Sequence, residues 1–328
     1  MECSQVDNFP FNHSLFYMQE RSVLILKLIL THVILPASLT AAVVVVRGDA
    51  FLLNAIAQTV TMIIFFSGYW EFFWRGSRIV FFYTNEVNLM MMLGYTIFRS
   101  GPVEINIPLV VLLAFIEIIF LAQLIKIFIV ILKKDSSSVE IQFPLKKGRF
   151  LITDGGNSKM SRLMNYHYYS PVHMKNNTNG SMLFATDIVK RDDAFHSFFP
   201  KGNDDYAIFG EAVYSPMDGI IVKVENSIED NQPYIGTYPY NTGNTIVIKN
   251  DDRFFLLGHL KQGSIKVKTG ECVKEHQMIG QIGNSGMSER PHLHMQLISC
   301  ASENYWSGTG INMIFQGKNF YKNRTIKN

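Results

Sequence analysis

Charge is scarce in this chain. Asp, Glu, Lys and Arg make up 17% of its 328 residues and sum to a formal +3. No Lys/Arg run is interleaved with aromatics into a basic stripe, so nothing argues for nucleic acid as a partner. Cysteine is scarcer still. Cys3, Cys272 and Cys300 do not make a disulfide framework; only the last two could pair within one soluble region, and nothing in the sequence says that they do. No small-residue cleavage site follows the first apolar run, and further apolar runs come after it, which argues against a cleavable signal peptide. The glycine-bearing turns precede no suitably capped helix, which excludes a phosphate-cradling loop.

Apolar residues are plentiful at 48%, but unevenly placed. Before about Leu132 the chain is mostly apolar; after Lys133 it has the Gly, Asn and Asp turns of a soluble domain. Four segments approach or exceed the ~20 residues that cross a bilayer, at about 23–46, 51–70, 79–98 and 107–132. Short charged breaks such as Arg47-Gly48-Asp49 and Arg75-Gly76-Ser77-Arg78 separate them, and Tyr69, Trp70 and Trp74 sit where an interfacial belt would place them. The third is the weakest, because Asn85, Glu86 and Asn88 fall in its middle. Glu117 and Lys126 in the fourth raise the same question, and helix–helix hydrogen bonding is the expected answer. The expectation is a membrane region over 1–132 with three or four transmembrane helices, multi-pass in the cell membrane and in contact with lipid. Four crossings would put the soluble part in the cytoplasm by the bias of Arg and Lys; three would put it outside. The bias is a few charges, and the side stays open.

Residues 133–160 read as a linker. Beyond them come short β-type runs between turns, among them 219–224, 245–249, 254–257, 264–267 and 295–298, with no long helix. That pattern predicts an antiparallel all-β domain over 161–328, a sandwich or partly open barrel. Its most telling stretch is Gly283-Asn284-Ser285-Gly286 followed by Pro291-His292-Leu293-His294. On a strand, His-x-His points both imidazoles to one face, which suits a metal site or acid–base chemistry. The plain alternative is a pair of exposed polar residues on an edge strand. Gly258-His259-Leu260 and Phe184-Ala185-Thr186-Asp187 upstream favour the functional reading. Val213–Gly219 and Val273–Gly280 read like the two half-motifs of a biotinyl- or lipoyl-type carrier domain, but no suitably flanked lysine lies between them.

From about Asn165 onward the chain resembles the M23 peptidase family, the LytM-type zinc endopeptidases. The matching stretches are 210–219, 243–248, Gly258-His259-Leu260, 264–270, 279–286 and Pro291-His292-Leu293-His294, in the family's order. The resemblance implies Asp187 and His294 as zinc ligands. It implies His259 and His292 for acid–base or transition-state roles beside a bound Zn2+. The family's first zinc-binding His should stand four residues before Asp187, where this chain has Leu183. Leucine has no donor atom. His167, His173 and His196 are the candidate replacements, and His167 is favoured because Asn165-Tyr166-His167-Tyr168-Tyr169 resembles a stretch found in relatives that also lack the usual His. His276 falls where the family has a turn glycine and reads as surface.

The combined expectation is a membrane-anchored zinc metalloendopeptidase acting on peptidoglycan peptide cross-links. The alternative is a catalytically degenerate domain that binds peptidoglycan or a protein partner without hydrolysis. A wall hydrolase would need its soluble domain extracytoplasmic.

Overall fold

The computed structural model of the chain describes residues 50–70, 77–98, 106–133, 137–170, 179–191, 200–234 and 241–328. The expected span at 23–46 and the residues Cys3, Trp74, His173 and His196 lie outside them. Among the described residues three helices come first: α1 (Ala50–Ser67), α2 (Ser77–Phe98) and α3 (Ile107–Leu132). The Asn106 side chain accepts from Leu109 N to cap α3, and Pro108 occupies the first turn, where its missing N–H has no partner to lose. Among the described residues α3 is the one helix long and apolar enough to cross a membrane. The apolar part of α1, Phe51–Ser67, is shorter, and α2 is interrupted by Asn85, Glu86 and Asn88. The expected multi-pass bundle is therefore reduced to a single candidate span among the described residues. Part of the helices' polarity is used between them: Thr59 Oγ1 donates to Glu117 Oε1 at 2.7 Å and Asn54 Nδ2 to Leu89 O at 2.8 Å. The helix–helix role expected for Glu117 is the one it has.

The stretch expected as a linker carries two strands, β1 (Val139–Glu140) and β2 (Arg149–Asp154). In β2 the run Phe150, Leu151, Ile152 is fully buried, and residues of that kind suit a strand packed on both sides. Then follow β3 (Thr186–Lys190), β4 (Ala212–Tyr214), β5 (Gly219–Glu225), β6 (Asn244–Asn250), β7 (Arg253–Leu260), β8 (Cys272–Val273), β9 (Met278–Gln281), β10 (Leu293–Ser299), β11 (Thr309–Ile311), β12 (Met313–Phe315), β13 (Lys318–Asn319) and β14 (Thr325–Lys327). The main sheet runs β14-β2-β3-β10-β7-β6-β5-β8, with β11 also paired to β10. Its ladders are antiparallel, as expected; the exception in the domain is β1, which pairs parallel to β12. Most of the domain separates those two strands in sequence, so the long connection that parallel pairing needs is present.

Alternation along β10 decides what the sheet buries. Leu293, Met295 and Leu297 enter the main core with Ile152, Ile188, Phe255 and Leu257. His294 and Gln296 take the opposite face. A cluster of rings around Phe143, with centroids 5.2 Å to Phe150 and 5.4 Å to Phe315, fills the same core. Cys272 is exposed, Cys300 is buried, and both are free.

Candidate metal centre

β3 and β10 pair in a register that sets Asp187 opposite His294. Opposed residues of a ladder project to the same face, and His294 Nδ1 lies 2.9 Å from Asp187 Oδ1. On the other flank of β10, Gly258 of β7 faces His294, which brings His259 to the same end of the sheet. His292, two residues before His294, keeps the period of two and places its Nε2 3.6 Å from Asp187 Oδ1. The ring centroids of His259 and His292 are 4.7 Å apart. Asp187, His259, His292 and His294, inferred from sequence, thus meet in one place.

His259 itself has φ of 58°, a conformation uncommon outside glycine and found at sites where surroundings over-determine the backbone. The turn behind it supplies that constraint. A Cβ on Gly286 would come within 2.2 Å of Gly243 N, and one on Gly243 within 2.3 Å of Ser285 O. Only glycine permits this approach, and it delivers Ser285 O to 2.7 Å from His259 Nδ1. Asp230 holds the same turn by accepting from Asn284 N at 2.6 Å. His276 is exposed with φ of 66°, in keeping with a turn position.

The remaining donor comes from a different kind of element. His167 sits in a short 3-10 turn, His167–Tyr169, and is buried. Its Nε2 lies 3.3 Å from Asp187 Oδ2, and its Nδ1 lies 2.6 Å from Asn165 Oδ1. His167, Asp187 and His294 each offer an atom, all within 4.8 Å of one another. With Tyr166, Thr242, His259, Met287 and His292 they line one pocket. Leu183 is not among its lining residues; its Cβ is turned toward Gly310.

Hydrogen bonds on the outer side of each imidazole fix which nitrogen faces inward. Asn165 Nδ2 donates to Gly156 O and Ala185 O, both at 2.8 Å. Its Oδ1 therefore faces His167 Nδ1 as an acceptor, the hydrogen sits on Nδ1, and a lone pair is left on Nε2. Gln296 Oε1 lies 3.1 Å from His294 Nε2; with the hydrogen on that nitrogen, the Nδ1 lone pair faces Asp187. His259 donates to Ser285 O, and His292 Nδ1 donates to Arg290 O at 2.8 Å. Two imidazole lone pairs and a carboxylate then converge with no hydrogen among them. Acceptors in a buried site repel unless a cation joins them, and His₂–carboxylate is a donor set that zinc takes. The residues present fit a metal ion. Asn165 and Gln296 are site residues that the sequence reading does not single out. Extending the alternation His292-x-His294 by one step reaches Gln296, whereas nothing local marks Asn165.

Burial pushes the Asp187 carboxyl up, but its interactions with His167, His292 and His294 outweigh that, and it lies well below the usual range. Burial opposes protonation of His167 too, yet Asp187 beside it raises its pKa. His259 is held well below the ordinary imidazole value by burial and by His292 and His294; burial lowers His292 as well. His259 and His292 are therefore neutral bases near pH 7.

Residues 199–305 match the family model described as Peptidase family M23. The match takes in His259, His292 and His294; Asp187 and His167 lie N-terminal to it. The chain is 34% identical over 100 residues to peptidoglycan DD-endopeptidase ShyA of Vibrio cholerae serotype O1, covering 30% of this chain and 20% of that protein. It is 39% identical over 61 residues to endolysin 2638A of Staphylococcus phage 2638A, covering 17% of this chain and 13% of the other. The chain thus spans a fifth or less of the length of these relatives. Among solved structures, a zinc-containing peptidase from Vibrio cholerae superposes with a TM-score of 0.31 at 22% identity, covering 53% of this chain and 39% of that one. The likeness to Peptidase family M23 thus lies within residues 199–305 of this chain.

Proposed function

We propose that this chain is a membrane-anchored zinc metalloendopeptidase that cleaves peptide cross-links of peptidoglycan. The observation that carries the reading is the convergence of His167 Nε2, His294 Nδ1 and the Asp187 carboxylate, with each imidazole oriented by a hydrogen bond on its far side. His167, in this reading, takes the place of the donor that the family resemblance expects at Leu183. The relative named a peptidoglycan DD-endopeptidase supports the choice of substrate.

A zinc ion held by these three residues would polarise the scissile carbonyl and bring the pKa of water to about 7. His259 Nε2, whose partner nitrogen is tied to Ser285 O, takes the proton of the attacking water. That proton passes from His259 to the leaving amine as the C–N bond breaks. His292 faces the same pocket from the strand entry and, once it has taken a proton from solvent, would steady the developing oxyanion. Asn165 and Gln296 keep the ligand imidazoles in the tautomer that binds metal.

α3 anchors the chain in the membrane, and the peptidase domain faces the wall. Zymography on peptidoglycan with the full-length protein and added zinc tests the activity: clearing by wild type and none by His294→Ala is the expected pair. Wild-type protein that leaves the wall intact overturns the hydrolase and leaves the non-hydrolytic alternative, motivated by Leu183, in its place. A reporter fused near Lys201 reads the side; a cytoplasmic signal excludes a wall substrate.

A further inference from the structure

We propose that the helical region is a working part of the metal centre, with the last turn of α3 holding in place the loop that presents His167. This inference rests on the reading of His167, Asp187 and His294 as the metal ligands. His167 gains its position from the loop that precedes it, 155–166, and that loop is fastened at two ends. On its outer side Met164, fully buried, packs with Ile127 and Val130 of α3, and Ile63 and Phe66 of α1 adjoin the same cluster. Gly156 lies so close to the helix that a Cβ there would come within 2.4 Å of Val130 Cγ1. On its inner side Gly156 O accepts from Asn165 Nδ2, and Asn165 Oδ1 holds His167 Nδ1. Gly155 N donates to Met164 O and closes the loop on itself.

An unbroken line of contacts therefore runs from Val130 through Gly156 and Asn165 to His167. No ladder pair fixes this donor, in contrast to Asp187 and His294, so its placement depends on what the loop rests against. The resting surface is helix. Further ties hold that surface to the domain: Asn323 Nδ2 donates to Phe66 O at 2.9 Å and to Gly68 O at 3.0 Å, at the end of α1. Ile127 and Val130 are positioning residues; neither touches the pocket. Any partner or membrane state that shifts α3 relative to the sheet would loosen the metal without touching a ligand.

The test is zinc stoichiometry and zinc affinity, by chelator competition, on the full chain in detergent. Ile127→Ala/Val130→Ala and Asn165→Ala are each expected to weaken zinc roughly 10-fold or more, the usual effect of removing support behind a ligand. Val130→Thr, close to isosteric, covers the case in which the double variant does not fold and is expected to weaken zinc in the same direction. Phe115→Ala on the exposed side of α3 and Val267→Ala in the distant sheet core are expected to stay within about twofold of wild type. Wild-type zinc affinity in the α3 variants overturns the coupling alone. An equal loss in Val267→Ala also overturns it, since the effect would then be general destabilisation. A wild-type chain that binds no zinc overturns the metal reading, and the coupling with it.

Discussion

The two sides of the candidate metal centre are built by different means. Asp187 and His294 face each other in one antiparallel register, so backbone pairing alone brings their side chains together. A slip of one residue would turn both into the apolar core and bring Leu293 and Ile188 out of it. His167 has no such partner strand; it arrives on a loop whose place is set by apolar packing and by the amide of Asn165. A ladder can place two ligands with local information, while a third supplied from a loop needs the surroundings to hold it.

The largest expected effect breaks the ladder side. His294→Ala removes a proposed ligand and the closest contact of buried Asp187, so loss of zinc and a fall in peptidase activity of about 10³-fold or more are expected, read by turnover of a peptidoglycan peptide. His259→Gln comes next: zinc stoichiometry stays at the wild-type value while turnover drops about 10²-fold or more, because the proton acceptor is gone and the ligands are not. Gln296→Leu sharpens the comparison on the ladder side, where loss of the acceptor at His294 Nε2 weakens zinc roughly 10-fold in chelator competition.

A smaller effect is expected in the pH dependence of the metal-free chain. The folded state keeps His259 and His292 from protonating, whereas the unfolded imidazoles take up a proton near pH ~6.5. Below that value the unfolded state binds more protons, so these residues make stability fall as pH drops from about 7 to 5. His167 acts oppositely, since its raised pKa adds stability at low pH that is lost as pH rises through the folded value. Denaturant midpoints of His259→Gln are expected to fall less over that interval than those of wild type; an equal fall would show that His259 protonates as freely in the folded state. The smallest effect is expected at Leu183. Its side chain does not line the pocket, so Leu183→His changes zinc affinity by no more than about twofold and does not restore binding to His167→Ala.

Much of the site is legible in the order of residues. His292 and His294 can be paired there because strand periodicity is a local pattern, while Asp187 and His259 are implied by the resemblance to the M23 peptidase family. His167 can be proposed from the stretch around it, yet its neighbour Asn165 carries no sequence mark of an orienting role: both its donor bonds go to backbone carbonyls, at Gly156 and Ala185. The strands within 139–154 escape a sequence reading for a similar reason. A short run with Gly and Lys on either side reads as a connection until its partners, β14 and β12, are known. Of the four spans expected from sequence, the first lies outside the described residues, and among those described one helix is long and apolar enough to cross a membrane.

By itself, then, the amino-acid order determined which side chains share a strand face, where the turns require glycine, and that an apolar region precedes a β-rich one, since each follows from spacing of a few residues. The tertiary structure decided that the loop bearing His167 rests on α3 and that the four imidazoles turn their free nitrogens inward. Those outcomes depend on contacts between residues far apart in the chain, such as Val130 with Gly156 and His259 with Ser285, and no local pattern encodes them.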